Sequence, residues 1–309
     1  WLPPPGRRVI STSATSTTSA THRVRRAWRS SADGVIAEKS NLICMTSSNE
    51  TIDFTTIEFA VADHVATITL NRPDQMNSFT ETMCLEMQTA WGLVRDTDDI
   101  HVAVLRANGE RAFCTGIDIK AGMWWGDQNI WNQTDPGEYL GPRTNKVWKP
   151  VVCAVQGMCA GGGQYMVNEC DIVVASDNAT FFDPHANGGI VSALEPIGML
   201  HRGVPLGEVL RWALMGTEER ITAETAMRIG LVTEVVPVDE LRVRVADIAA
   251  QIADRNPIAI QGTVRAIWEA TEMTPHLAKQ NGLAYTHIGN KPAADRKGEL
   301  RVNRKPTFR

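Results

Sequence analysis

The chain has 309 residues, a formal net charge of -4, 43% hydrophobic and 21% charged residues, enough for one large α/β body with a full core, alone or with a small appendage. Beyond the first segment the basic residues are dispersed among acids, with no stripe of Lys, Arg and aromatics. No apolar run is long enough to span a bilayer, so neither nucleic acid nor membrane is an expected partner.

Residues 1–50 are read as a disordered leader or an over-extended start. Trp1 to Ala32 contains no Asp or Glu, is rich in Ser, Thr and Arg, and has no helical or strand period, so it offers nothing to pack. Arg23, Arg25, Arg26 and Arg29 would suit an acid-poor transit peptide, whereas Met45 stands just before the first periodic segment. The first reading implies a mitochondrial matrix protein, the second a cytoplasmic one, and the second is preferred.

Residues 51–205 are expected to form the α/β core. Thr56 to Val61 and Val65 to Leu70 alternate around Ala62-Asp63-His64 as a hairpin. Ser78-Phe79-Thr80-Glu81 has the spacing of a capping box, and Met83, Met87, Ala90, Trp91 and Val94 follow at helical period. Strands are expected near 101–106, 151–155 and 171–175; helical crossovers between them make right-handed β-α-β units and a largely parallel sheet. Residues 206–309 read as mostly helical: 206–215, 222–229, 239–253, 257–272 and a last helix near 275–287, with a short strand at 231–236. Such a tail on an α/β body often covers a site or a neighbour's surface.

The six cysteines, Cys44, Cys84, Cys114, Cys153, Cys159 and Cys170, show no Cys-x-x-Cys pair and no His partner at finger spacing. Buried thiols in a reducing compartment are expected, with no metal and no disulfides.

Two turns carry the chemistry. Val151 to Val155 feeds Gly157-Met158-Cys159-Ala160-Gly161-Gly162-Gly163, where a triple glycine before a helix lets a ligand oxygen approach bare backbone N–H groups. His101 to Arg106 leads into Arg111 to Lys120, whose Gly116-Ile117 turn could present a second N–H. A tight strand-to-helix turn is the simpler explanation of either one alone.

These segments, with Asn71-Arg72-Pro73, Met76-Asn77-Ser78, Ala223 to Val236 and Arg304-Lys305-Pro306 in the same order, make the chain resemble the crotonase (enoyl-CoA hydratase/isomerase) superfamily over residues 56–309. The resemblance implies an α/β spiral of ββα units with a helical C-terminal trimerisation region, homo-trimers or hexamers, and an acyl-CoA thioester substrate. CoA arrives with that substrate, so no cofactor is expected. It carries an oxyanion hole onto the N–H groups of Ile117 and Gly162, where preorganised donors are worth on the order of 3 kcal/mol each. Arg72, Met76, Asp118, Ile119 and Lys120 fall in the segments that hold CoA. Trp124 and Trp125, with Trp131, Tyr139 and Trp148, suggest a wall for a bulky or ring-containing acyl group, or packing between subunits.

The acid/base positions depart from the family. Hydratases have one glutamate where this chain has Tyr165 and another where Phe181-Phe182-Asp183-Pro184-His185 has His185. A tyrosine is a poor general base and is expected to donate a hydrogen bond or line the pocket. His185 titrates in the useful range and is the expected main proton carrier. If the segment is extended, Asp183 lies on the same side and orients it, although the two could merely satisfy each other. Glu195 stands two residues beyond Ala193, the position at which other members place a carboxylate, and is a further candidate. The expected activity is that of a lyase or isomerase stabilising a thioester enolate in fatty-acid or alicyclic acyl-CoA catabolism. C–C bond hydrolysis, isomerisation of a bulky acyl-CoA, and a non-catalytic acyl-CoA binding homologue are the alternatives.

Overall fold

The computed structural model describes residues 52–122, 129 and 131–295. Residues 1–50, Trp124, Trp125 and Arg304-Lys305-Pro306 lie outside the described residues.

β1 (Ile57–Ala62) and β2 (Val65–Leu70) form the expected hairpin, turning through Asp63 and His64 at positive φ. α1 (Glu81–Asp96) follows, with Met83, Met87, Ala90, Trp91 and Val94 all buried. Its cap is Thr80, whose hydroxyl accepts the Met83 N–H at 3.3 Å, and not the Ser78 of the expected capping box. Phe79 instead bridges to Ile117, which holds Ser78 and Phe79 out of the helix.

β3 (Val102–Ala107) and β4 (Ala112–Cys114) come next, then α2 (Gly137–Leu140), β5 (Val151–Val155), β6 (Met158–Ala160) and α3 (Gly163–Glu169). β7 (Ile172–Ser176), β8 (Thr180–Phe182) and α4 (Leu194–His201) complete the body. Beyond it lie α5 (Leu206–Met215), β9 (Ile221–Thr222), α6 (Ala223–Arg228), β10 (Glu234–Val236), α7 (Leu241–Ala253), α8 (Pro257–Ala270) and α9 (Pro275–Asp295). α8 starts as its sequence dictates: Pro257 takes the first helical position and the Asn256 side chain accepts the N–H groups of Ile258 and Ala259.

Six strands make one sheet in the order β1-β2-β3-β5-β7-β10, parallel from β2 onward. Every residue of β5 is buried, as a strand covered on both faces requires. On one face α7 lays Leu241, Val245, Ala249 and Ala253, spaced by four, against Val102, Val104, Val152, Ala154 and Val174. β4-β6-β8-β9 form a second, smaller sheet. Each strand of the large sheet from β3 to β7 thus passes into a three-residue strand of the small one, and that alternation aligns the site.

Candidate active site

β4, β6 and β8 run parallel, with Cys114 beside Cys159 after a register shift between Ala112 and Cys114 and Ala160 beside Phe182, so their C-terminal ends emerge at one edge. There the chain leaves β4 into Gly116-Ile117, β6 into Gly161-Gly162, and β8 into Asp183-Pro184-His185. Gly116 has φ +83, and a Cβ on it would lie 3.1 Å from the Gly162 nitrogen and 3.2 Å from the Ala160 carbonyl. Only glycine lets the two turns press together in this way.

The direction of the Ile117 N–H follows from the bridge to Phe79. Phe79 N–H donates to the Gly116 carbonyl at 2.8 Å and Asp118 N–H to the Phe79 carbonyl at 2.9 Å, so the N–H between them faces away from Phe79. Among the described residues neither the Ile117 nor the Gly162 N–H donates to a protein acceptor. Two neighbouring unspent donors can bind one anionic oxygen between them.

Beside them stands a chain of ionisable groups. His185 Nδ1 bonds Asp183 Oδ1, which also accepts the His185 backbone N–H at 3.1 Å. The contact is made by a turn, because His185 is helical in φ and ψ and not extended as the alternation argument required. Asp183 is fully buried. Its bond to Nδ1 leaves Nε2 facing outward, 3.9 Å from Glu195 Oε1. The hydrogen bond to Asp183 raises the His185 pKa above its ordinary value, and the Glu195 charge adds to the effect.

Glu195 sits in the first turn of α4 and is 4% exposed. Its carbonyl accepts the Asn168 side chain at 2.8 Å, and Asn168 in turn accepts from Gln164 at 2.9 Å. Burial raises its pKa above the ordinary carboxylate range. Tyr165, half-buried on α3, lies beside Glu195 and Asp135, and burial drives its pKa far up. That keeps it a neutral phenol. Asp135 is the member of this group that sequence reasoning missed. Its signal was slight: an Asp just before Pro136, whose Oδ1 accepts the Gly137 N–H at 2.7 Å and opens α2.

The expected CoA segments flank the turn. Arg72 pairs with Asp118 at 2.8 Å and also donates to the Ser78 carbonyl, so its guanidinium braces the 72–78 segment against the Ile117 turn. Asp118 Oδ1 accepts the Lys120 N–H at 3.1 Å, while Ile119 and Lys120 are exposed. Met76 takes a left-handed conformation at φ 51. Of the aromatic residues, Trp131 is exposed, and Trp148 packs against Arg143 and Arg265 and not against the site. Cys84, Cys114, Cys153, Cys159 and Cys170 are buried and free. Among the described residues no three His, Cys, Asp or Glu side chains are grouped to hold a metal ion, and no helix is long and apolar enough to cross a membrane.

A family model described as enoyl-CoA hydratase/isomerase matches residues 61–300. The chain belongs to that family. Within the enoyl-CoA hydratase/isomerase family it is 33% identical over 232 residues to the (E)-benzylidenesuccinyl-CoA hydratase of Thauera aromatica, covering 75% of this chain and 88% of that protein. It is 34% identical over 232 residues to the mevalonyl-coenzyme A hydratase of Aspergillus fumigatus, covering 74% and 83%. The crystal structure of an enoyl-CoA hydratase/isomerase from Mycobacterium paratuberculosis superposes with a TM-score of 0.72 at 33% identity, over 83% of this chain and 99% of that one. An enoyl-CoA hydratase from Bacillus anthracis gives 0.71 at 26%, over 82% and 99%. The crotonase spiral is therefore the fold, and this member of the family carries Tyr165 and His185 at the positions where hydratases are expected to have glutamates.

Proposed function

We propose that the protein hydrates a bulky 2-enoyl-CoA, holding the thioester oxygen on the N–H groups of Ile117 and Gly162 and moving protons through His185 and Glu195. The observation that carries this reading is the pair of unspent N–H donors beside an imidazole and a buried carboxylate 3.9 Å apart. Two groups at that separation can both reach one water at about 2.8 Å.

Hydration needs a base for the water and an acid for the α carbon. With Asp183 behind it His185 is the imidazolium, and Glu195 is the carboxylate. Glu195 takes a proton as the water oxygen bonds the β carbon, and the electron pair of the C=C bond moves onto the thioester, whose oxygen becomes the enolate held by Ile117 and Gly162. His185 Nε2 then protonates the α carbon. Transfer of the Glu195 proton to His185 restores the starting state, and the net change is addition of one water. The chain's own residues carry every proton, so the reading calls for no cofactor beyond the CoA of the substrate.

The names of the Thauera and Aspergillus relatives, both hydratases of substituted acyl groups, support a bulky acyl chain. That both are hydratases also favours hydration over C–C hydrolysis or isomerisation. Assembly as a trimer or hexamer belongs to the same proposal. α8 is rich in apolar residues, none of them buried, and Ile258, Ile267, Leu277, Leu283 and Ile288 on α8 and α9 are exposed. That suits helices that meet another copy.

A mass-spectrometric screen of linear, aromatic and alicyclic acyl-CoA esters tests the reading. A bulky 2-enoyl-CoA gaining the mass of one water is the expected result. Cleavage or double-bond migration instead would replace hydration with the corresponding chemistry, and binding without turnover of any ester would make the protein an acyl-CoA binding homologue.

A further inference from the structure

α7 covers the large sheet only in part. Leu241, Val245, Ala249 and Ala253 pack on the sheet, whereas the next stripe round the helix, Arg242, Ala246 and Ala250, is exposed. Two of those three residues are alanines, and a cavity of about 240 Å³ stays open between the stripe and the sheet. Its floor is apolar, with Val104, Ala154 and Val245 all buried, and it shares no residue with the candidate active site. Pockets for drug-sized ligands run to about 300–1,000 Å³, so this one suits a smaller molecule.

Two guanidinium groups line one end of the cavity. Arg106 lies on β3, on the same face as Val104, and its Nε donates to Thr69 Oγ1 at 3.0 Å. Its other nitrogens donate to no protein acceptor among the described residues. Arg242 reaches across from α7, where its Nη2 makes two long bonds of 3.3 Å, to the Ala107 carbonyl and to Asn108 Oδ1. Among the described residues neither arginine pairs with a carboxylate, although Arg244 on the same helix binds Glu234 at 2.8 Å. The Glu58 carboxylate instead accepts the Asn108 side chain at 3.0 Å. Burial, and then the neighbouring Arg242 charge, lowers the Arg106 pKa, as expected of two cations held together without a counter-ion.

Asp63 lines the other end. It stands in the turn before Val65, whose neighbour on β3 is Val102, four residues or about 13 Å along the strand from Arg106. The cavity therefore offers positive charge at one end, an apolar floor between, and negative charge at the other. The geometry points to a binding site for a short aliphatic monocarboxylate, with its carboxylate between Arg106 and Arg242 and its chain along Val104, Ala154 and Val245. The guanidinium fork matches the two oxygens of a carboxylate. A bare phosphate would leave the apolar floor uncovered, and a dicarboxylate would bring its second charge toward Asp63.

Calorimetry on the full chain with hexanoate tests the assignment, with hexan-1-ol, adipate and inorganic phosphate as comparisons. Hexanoate is expected to bind, and each comparison to bind at least about tenfold more weakly, the lower end of what a hydrogen bond to a charged group is worth. Arg242→Gln is expected to weaken hexanoate roughly 10- to 100-fold for the same reason. Ala246→Leu keeps both charges and fills the cavity, so it is expected to abolish binding. Both substitutions fall on an exposed helix face, and circular dichroism checks that each variant is folded. Because a carboxylate can also lodge on the oxyanion donors, the variants decide where hexanoate sits: loss of binding in both, with any acyl-CoA turnover at the wild-type rate, places it in this cavity. No binding of hexanoate to the wild type overturns the assignment, and so does binding that survives either substitution unchanged. Phosphate binding as tightly as hexanoate overturns the ligand class. The readout needs no turnover, so it stands apart from the hydration proposal.

Discussion

Gly163→Ala asks whether the two N–H donors work as a fixed pair. A Cβ on Gly163 would lie 2.5 Å from the Cys114 carbonyl oxygen and 3.2 Å from the Cys114 carbonyl carbon, and both partners belong to backbone that has no rotamer to yield. An ordinary carbon–oxygen contact is about 3.3 Å, so the end of β4 and the start of α3 must part by roughly 0.8 Å. The Ile117 donor lies on the turn after Cys114 and the Gly162 donor directly precedes Gly163, so that displacement spreads the pair. A misplacement of about 1 Å costs on the order of a hundredfold, and kcat/KM should fall by roughly 30- to 100-fold. Overpacking of this kind destabilises by about 1–3 kcal/mol, which a thermal melt will register without loss of the fold. Gly207→Ala is the control: no atom lies within 4 Å of its added Cβ and its φ is not positive. That variant should keep full activity and gain up to about 1 kcal/mol. A folded Gly163→Ala enzyme with wild-type kcat/KM on the same acyl-CoA would refute the paired-donor reasoning.

Four further outcomes are expected. His185→Gln should lower kcat by about a hundredfold with KM nearly unchanged. Because a raised His185 must be protonated and a raised Glu195 deprotonated to act, the wild-type profile should be a bell with both limbs above the ordinary imidazole and carboxylate positions, and stopped-flow rates on His185→Gln should lack the alkaline limb. Trp91→Ala should cost about 3–5 kcal/mol in denaturant melts, since Trp91 is fully buried and its indole N–H donates to the Leu140 carbonyl at 2.8 Å. Arg72 holds the Asp118 carboxyl below its ordinary range, so that stabilisation is present above the unfolded value of about 3.9 and lost as pH falls through the folded one. Asp118→Asn should therefore melt below the wild type at neutral pH, with the gap closing in acid.

The large sheet was legible because β2 and β5 carry enough consecutive or alternating apolar residues to mark a buried strand. The small sheet was not. β4, β6 and β8 are three residues each, too short for any period, and they are strands only through pairing with one another. The helix start after Phe79 was misplaced for a related reason, because the bridge from Phe79 to Ile117 spans 38 residues and overrides a local capping signal. The Asp183–His185 contact was anticipated from alternation, but a side chain that accepts the N–H two residues on closes a turn, and alternation has no part in it.

What the sequence concealed most was how Glu195 reaches the cluster. Its spacing from His185 suggested a carboxylate two residues out of place, and no local feature says which way its side chain falls. The information lies in Gly198. A Cβ there would come within 2.3 Å of the Asn168 side-chain nitrogen, the same nitrogen that binds the Glu195 carbonyl. Only a glycine lets α4 close onto α3 until Asn168 can grip its first turn, and that grip buries Glu195 against Tyr165 and His185. Asp135 arrives by the mirror of this device, with Gly137 as the residue that admits the Tyr165 ring. Both carboxylates thus depend on glycines that look like ordinary helix residues in the sequence, and their meaning appears only when the opposing helix is in place.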